Sequence, residues 1–300
     1  MGVKGLYTYV KKYRKERLYE SVTAQPPLRI GFDAMSMLYK YKANYPEMYP
    51  MLRGLKAAGH RLLFVFDGKP PVEKEAEVKE RRDLRNSAST QAETLKTHLT
   101  DPTLGAQERA VLQYSLARLE FQGWHMTREI RHAVQQALCD MEIPYVKANG
   151  EADGALSELV GSGKLDVVVS SDMDFLLSGV PRLWIPFRTA NDGFEEVLLS
   201  RVLEGETMTL SMLRDAGILC GVELLRGRVS IHCATAFSWI RYYKSIEGLL
   251  HSAIKDPQFE HLKDEALLEK IRQSFRPGMD WKAQIRPDHL EKVAAFMEAL

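Results

Sequence analysis

Three short apolar runs along the chain each end in an aspartate. Leu28-Arg29-Ile30-Gly31-Phe32 runs into Asp33, Leu62-Leu63-Phe64-Val65-Phe66 into Asp67, and Asp166-Val167-Val168-Val169-Ser170-Ser171 into Asp172. Runs this short, rich in β-branched and aromatic side chains and closed by turn residues such as Gly68-Lys69-Pro70-Pro71, predict buried strands. Segments 35–59, 126–141 and 151–162 carry apolar residues at helical spacing. The alternation predicts an α/β fold, a central mostly parallel sheet flanked by helices. In such sheets ligands bind beyond the carboxyl ends of the strands, the edge to which all three runs deliver an acid. Residues 73–122 show no strand pattern and are strongly charged. They predict a helical excursion broken near Asp101-Pro102-Thr103-Leu104-Gly105. From about residue 200 the chain reads as helical, punctuated by Pro257, Pro277 and Pro287. The expected division is therefore a core over 1–200 and a helical region over 201–300.

Composition narrows the class. A chain of 300 residues that is 45% hydrophobic and 27% charged can bury a sizeable core, which excludes a disordered or fibrous protein. The net charge is only +1, so nucleic-acid binding would need segregated charge. Two basic runs show such segregation: Lys11, Lys12, Arg14, Lys15 and Arg17 in one, Lys79, Arg81, Arg82 and Arg85 in the other. Either run is also compatible with a solvated helix face. Cys139, Cys220 and Cys233 have no CxxC spacing, which argues against a disulfide framework or structural zinc and suits a reducing compartment. No apolar run is long enough for a membrane span or signal core, so an intracellular, soluble protein is expected. Nothing in the sequence specifies the compartment, the nucleus included.

The acids that draw attention are Asp33, Asp67, Glu151, Asp153, Asp172, Asp174 and Glu223. Taken singly, each has an ordinary explanation: an acid in a first helical turn complements the helix dipole, and an Asp at a strand end caps or turns. Taken together, they would crowd one sheet edge and raise one another's pKa, which a fold tolerates when cations neutralise them. Hard oxygen donors without His or Cys suit Mg²⁺ or Mn²⁺. Two such ions about 3.5–4 Å apart suit in-line phosphoryl displacement. The residues alone thus point to a two-metal phosphoesterase.

At this point the ordered motifs resemble those of the flap endonuclease/XPG structure-specific 5′ nucleases, which have a PIN-like core. The carriers are Met1-Gly2-Val3-Lys4-Gly5-Leu6, Phe32-Asp33-Ala34-Met35-Ser36 and Val65-Phe66-Asp67-Gly68-Lys69-Pro70-Pro71. Ile143-Pro144-Tyr145, Gly150-Glu151-Ala152-Asp153 and Ser171-Asp172-Met173-Asp174 resemble the family's internal block. Phe275-Arg276-Pro277 and Phe296-Met297 resemble the end of its core. The resemblance implies that Asp33, Asp67, Glu151 and Asp153 hold one Mg²⁺ or Mn²⁺ ion. Asp172, Asp174 and Glu223 would serve a second, directly or through water. It implies that Lys74 and Arg81, seven apart on one helical face, stabilise charge on the scissile phosphate. Tyr39 would stack a terminal base, and Gly2 would let the N-terminus approach DNA. Lys69, Arg82 and Arg85 are further candidates for nucleic-acid contact. The excursion 73–122 would form an arch or cap, through or under which single-stranded nucleic acid passes, and nucleotides at the target bond would unpair and swing onto the site. The expected activity is 5′ flap endonuclease or 5′–3′ exonuclease cleavage of DNA by a monomer. An RNA-cleaving relative and a catalytically weak nucleic-acid-binding scaffold remain open alternatives.

Five departures bear on ion geometry, substrate or partners. Glu223 stands where the family carries an Asp. Ser230-Ile231-His232-Cys233-Ala234 replaces a Gly-rich hairpin that grips duplex phosphates through backbone N–H groups, so the duplex clamp is expected to be altered. The Asp33-to-Asp67 interval is shorter than in flap-cleaving members, and the excursion after Asp67 is longer. No Gln-x-x-[Leu/Ile/Met]-x-x-aromatic-aromatic box is present, so docking to a sliding clamp is not expected.

Overall fold

The computed structural model describes residues 3–69, 75–187, 193–276 and 293–296. Gly2, Lys74, Pro70, Pro71 and Met297, named above, lie outside the described residues, as do Pro277 and Pro287. Seven strands form one sheet: β1 (Arg14–Leu18), β2 (Arg29–Asp33), β3 (Arg61–Phe66), β4 (Tyr145–Lys147), β5 (Val167–Val169), β6 (Arg182–Pro186) and β7 (Gly193–Leu198). Their spatial order is β1-β7-β6-β5-β2-β3-β4. The strands β6 to β4 in that order run parallel, and β7 lies antiparallel to both β6 and β1. From β2 the chain builds outward through β3 and β4, then returns to β2's other side for β5 and β6. Strand order therefore reverses between β2 and β5, where a doubly wound sheet opens a crevice at its carboxyl edge.

Alternation along the strands feeds two cores. Ile30, Phe32, Leu62, Phe64, Phe66, Val167, Val169 and Trp184 point to one face, against helices Ala34–Tyr41, Met48–Ala57 and Arg128–Asp140. Leu63, Val65, Val168, Leu183 and Ile185 point to the other, against helix Ala152–Gly161. The same core continues into helices Leu210–Gly221, Cys233–Tyr243, Ile246–Leu250 and Glu265–Ser274. The region after residue 200 thus packs on the sheet through shared apolar contacts.

Several local expectations need adjustment. The helix read over 35–59 is two helices, Ala34–Tyr41 and Met48–Ala57, separated by a 3-10 segment Lys42–Glu47. Lys42 takes a left-handed φ of 48°, Asn44 is non-helical, and Pro46 lacks an N–H to continue the ladder. β1, β4, β6 and β7 were not legible as strands. β1 reads Arg-Lys-Glu-Arg-Leu, charged on both faces, as suits a sheet edge. The basic run at 11–17 is largely spent on internal acids: Arg14 meets Glu195 at 2.5 Å, Arg17 meets Glu196 at 2.7 Å, and Lys12 meets buried Glu206 at 2.7 Å.

The excursion is a pair of packed helices, Glu75–Leu99 and Ala106–Gly123, joined where the break was expected. Its base is pinned to the body. The Tyr39 and Trp124 rings meet edge-on at 5.3 Å. The Lys42 ammonium lies 3.2 Å from the Phe121 ring centroid and donates to the Phe121 carbonyl. Among the described residues no helix is long and apolar enough to cross a membrane. All three cysteines are unbridged.

Candidate active site

β2 ends at Asp33, β3 stops one residue before Asp67, and β5 stops three before Asp172. Because these strands are parallel, their carboxyl ends lie on one edge, at the reversal of strand order. Asp33 N-caps helix Ala34–Tyr41, its Oδ1 accepting from the Ser36 N–H at 2.9 Å. Its Oδ2 accepts from Ser170 Oγ at 2.9 Å. Ser36 Oγ in turn accepts from the Ser171 N–H at 2.7 Å, so two hydroxyls tie β2 to the turn after β5.

Asp67 is held from the neighbouring loop. Its Oδ1 accepts from the Ala152 N–H at 2.8 Å, and the Gly68 N–H donates to the Gly150 carbonyl at 2.7 Å. A side chain at Gly68 would meet the Ala148 carbonyl oxygen at 2.0 Å, so only glycine permits this approach. Glu151 and Asp153 open helix Ala152–Gly161 beside it. Asp172 accepts from the Asp174 N–H at 3.0 Å, and Asp174 accepts from the Val3 N–H at 2.7 Å.

Crowding leaves an electrostatic signature. The Asp33 carboxyl is pushed up to about 7, by burial first, then by the charges of Asp67 and Asp172. Asp174 is also pushed up to about 7, by burial and by Asp172 and Asp153. Five acids from three strand ends and one helix start therefore share one field. Glu223 behaves differently. It opens a 3-10 turn, Glu223–Leu225, and its Oε1 lies 2.6 Å from Arg81 Nη2.

The donor set, all carboxylate and hydroxyl oxygen, suits a hard divalent cation rather than zinc. As the side chains stand, no three His, Cys, Asp or Glu donors among the described residues are closed into a metal cage. Asp33, Asp67, Asp172 and Asp174 each turn an oxygen to an N–H donor, and Glu223 turns one to a guanidinium. The chemistry and neighbourhood fit a metal.

Arg81 and Arg85, one turn apart, share a face of helix Glu75–Leu99. Arg85 Nη1 donates to Tyr39 Oη at 2.8 Å, while Arg82 and Lys69 are exposed. Sequence reasoning singled out neither the hydroxyl frame of Ser36 and Ser170 nor Trp124 beside Tyr39. The Ser-Ser pair before Asp172 and the Ser three after Asp33 were the available signals.

The altered hairpin is also visible. The N–H groups of Arg228 and Val229 donate to the Leu225 carbonyl at 2.9 and 3.1 Å. Those of Ser230 and Ile231 donate to Gln258 Oε1 at 2.6 Å and the Leu219 carbonyl at 2.9 Å. From 228 to 231 the backbone donors are taken within the protein.

The sequence and the fold have known counterparts. Residues 142–223 match the XPG I-region family model. Flap endonuclease 1 of Entamoeba histolytica is 29% identical over 289 residues, spanning 88% of this chain and 71% of the relative. The chain belongs to the flap endonuclease/XPG family. Among solved structures, the catalytic core of Rad2 in complex with DNA substrate superposes with a TM-score of 0.62 at 15% identity, covering 99% of this chain and 94% of that one. Flap endonuclease-1 from Methanococcus jannaschii gives 0.56 at 19% identity, covering 96% and 98%. Both likenesses are of fold. In this XPG-family chain the matched I-region spans Glu151, Asp153, Asp172, Asp174 and Glu223, and Asp33 and Asp67 come from the preceding half.

Proposed function

We propose that this protein is a metal-dependent, structure-specific DNA nuclease that hydrolyses phosphodiester bonds at the carboxyl edge of its sheet. The carrying observation is the convergence of Asp33, Asp67, Asp153, Asp172 and Asp174 on one sheet edge, where burial and one another's charge push Asp33 and Asp174 up to about 7. A divalent cation placed among them would relieve that repulsion. The DNA assignment is supported by relatives named flap endonuclease 1 and by the Rad2 core, solved with a DNA substrate.

Asp33, Asp67, Glu151 and Asp153 would hold one Mg²⁺ or Mn²⁺ ion, and Asp172 and Asp174 a second. Bound there, the ions supply positive charge to the phosphate and lower the pKa of the attacking water. The chain's own groups do the rest. The Ser36 N–H and Ser170 hydroxyl orient Asp33, the Ala152 N–H orients Asp67, and the Val3 N–H orients Asp174. Arg81 brings a guanidinium to the non-bridging oxygens, where charge grows in the transition state. Lys74 is a candidate for the same work. Tyr39, its hydroxyl tied to Arg85, offers a ring on which an unpaired base can stack.

The test is cleavage of a 5′-flapped duplex with Mg²⁺ or Mn²⁺. Asp172→Ala combined with Asp174→Ala should abolish it while the circular dichroism spectrum is retained. Undiminished cleavage would refute the assignment.

One observation favours a second reading, an RNA-cleaving enzyme with the same chemistry. The backbone donors at 228–231 are already engaged, which weakens the argument for a duplex-DNA grip there. Matched DNA flaps, RNA and hybrids compared at constant salt separate the two, since ionic strength alone moves affinity by orders of magnitude.

A further inference from the structure

Helix Glu75–Leu99 carries Glu80 and Arg81 side by side, and across from them the turn at Glu223 carries Glu223 and Arg226. Two ion pairs cross between these elements in reciprocal order: Arg81 Nη2 to Glu223 Oε1 at 2.6 Å, and Arg226 Nη1 to Glu80 Oε2 at 2.9 Å. The inner pair is the more sheltered, with side chains 39% and 19% exposed, against 52% and 48% for Glu80 and Arg226.

The Glu223 end is anchored. Two residues earlier Gly221 takes a left-handed φ of 110°, and its carbonyl accepts from the Lys4 N–H at 3.2 Å. Lys4 follows Val3, whose N–H holds Asp174. The turn is therefore tied to the segment that orients the acid set. On the other side, Arg85 ties the same face of the helical hairpin formed by Glu75–Leu99 and Ala106–Gly123 to Tyr39 one turn further on. The additional methylene of a glutamate lets its carboxylate reach the guanidinium across this gap. An aspartate on the same backbone would fall short by about one bond.

We infer that Glu223 is a positioning residue, which docks Arg81 of the hairpin over the carboxylate edge, and that Glu80–Arg226 is the outer half of the same clasp. Glu223 thereby exchanges a ligand's task for an anchor's. Arg81 is presented to the phosphate on a hairpin already closed. The catalytic consequence rests on the nuclease reading above; the clasp itself does not.

Three measurements on the full chain test it. Hydrogen exchange of helix Glu75–Leu99, without metal or DNA, should accelerate in Glu80→Arg and recover in Glu80→Arg/Arg226→Glu. Calorimetric Mn²⁺ affinity should be unchanged in Glu223→Ala and strongly reduced in Asp172→Ala. On a flapped duplex, Glu223→Ala should lower the single-turnover rate roughly tenfold or more with KM near that of the wild type, as expected when a reacting group is misplaced. Loss of Mn²⁺ affinity in Glu223→Ala equal to that in Asp172→Ala would make Glu223 a ligand and overturn the inference. So would unaltered exchange in Glu80→Arg. If the wild type cleaves nothing, the nuclease reading falls, and the exchange and calorimetry arms still decide the clasp.

Discussion

The backbone N–H of Val3 donates to Asp174 Oδ1 at 2.7 Å, joining the start of the described chain to an acid 171 positions away. The segment around it is confined: Leu6 is buried, the Lys4 N–H is held by Gly221, and the Lys4 carbonyl accepts from Cys233 Sγ. A backbone donor so constrained orients a carboxylate more firmly than a mobile side chain can. Hydrogen bonds to charged groups contribute about 1.5–3 kcal/mol. Val3→Pro, which deletes the donor, should weaken Mn²⁺ binding and slow cleavage about ten- to a hundredfold, by the usual conversion of such an energy. Val3→Ala keeps the N–H and should do neither. Calorimetry and single-turnover rates on the two variants check this, and equal behaviour would show the bond to be idle.

Asp33 carries the conflict between stability and function. It is held half-buried beside Asp67 and Asp172, and their charges and the loss of water oppose its ionisation in the folded chain. Asp33→Asn removes that charge and keeps an oxygen for the Ser36 N–H. The metal-free variant should melt about 2–5 °C above the wild type at neutral pH, each kcal/mol being worth a few degrees in a chain of this size. It should also lose turnover and most of the stabilisation that Mg²⁺ gives the wild type. Thermal melts with and without Mg²⁺ decide the point. A lower metal-free melting temperature would mean that the Asp33 hydrogen bonds outweigh the repulsion.

The sequence disclosed where the candidate acids lie better than it disclosed the sheet around them. Asp33, Asp67 and Asp172 were legible because each follows an apolar run too short for a helix, and parallel strands put all such ends on one edge. β1 was not legible because its partners supply the logic: Arg14 and Arg17 make sense only beside Glu195 and Glu196, some 180 positions away. Glu223 was read as a ligand because its place in the motif order suggested one. Its pairing with Arg81 depends on how the hairpin lies, which no local pattern encodes. The serine frame escaped notice for a related reason, since Ser36 and Ser170 matter only once β2 and β5 are neighbours.

Acid should loosen the C-terminal helices first at Arg272. Its guanidinium meets Glu247 at 2.6 Å and nearly buried Asp215 at 2.8 Å. Arg272 holds the Glu247 carboxyl down from its ordinary 4.5 to about 2. A carboxyl whose folded pKa lies below its unfolded value lends full stability above the unfolded pKa and loses it as pH falls toward the folded one. The contribution should therefore be intact at pH 6 and fade between about 4.5 and about 2. Arg272→Met should flatten the dependence of melting temperature on pH across that window. It should also lower the melting temperature at pH 7, where Asp215 would be left buried without its cation. A variant with the wild-type acid slope would place the acid sensitivity elsewhere.

Gly68 offers the sharpest test of how the acid edge is assembled. A Cβ at this position would lie 2.0 Å from the Ala148 carbonyl oxygen and 2.7 Å from that of Asn149, both backbone atoms that no rotamer change can move. Gly68→Ala must therefore push the Asp67 turn and the Gly150 loop apart. That breaks the 2.7 Å bond from the Gly68 N–H to Gly150 and draws Asp67 Oδ1 from the Ala152 N–H. Overpacking of this kind costs about 1–3 kcal/mol. The melting temperature should fall, and turnover should fall further than stability alone explains, because Asp67 moves relative to Glu151 and Asp153. Gly150→Ala is the control. Nothing lies within 4 Å of a Cβ there, so both melting temperature and turnover should stay near wild type. Similar losses in the two variants would mean that the loop, rather than the close approach at Gly68, governs the placement of Asp67.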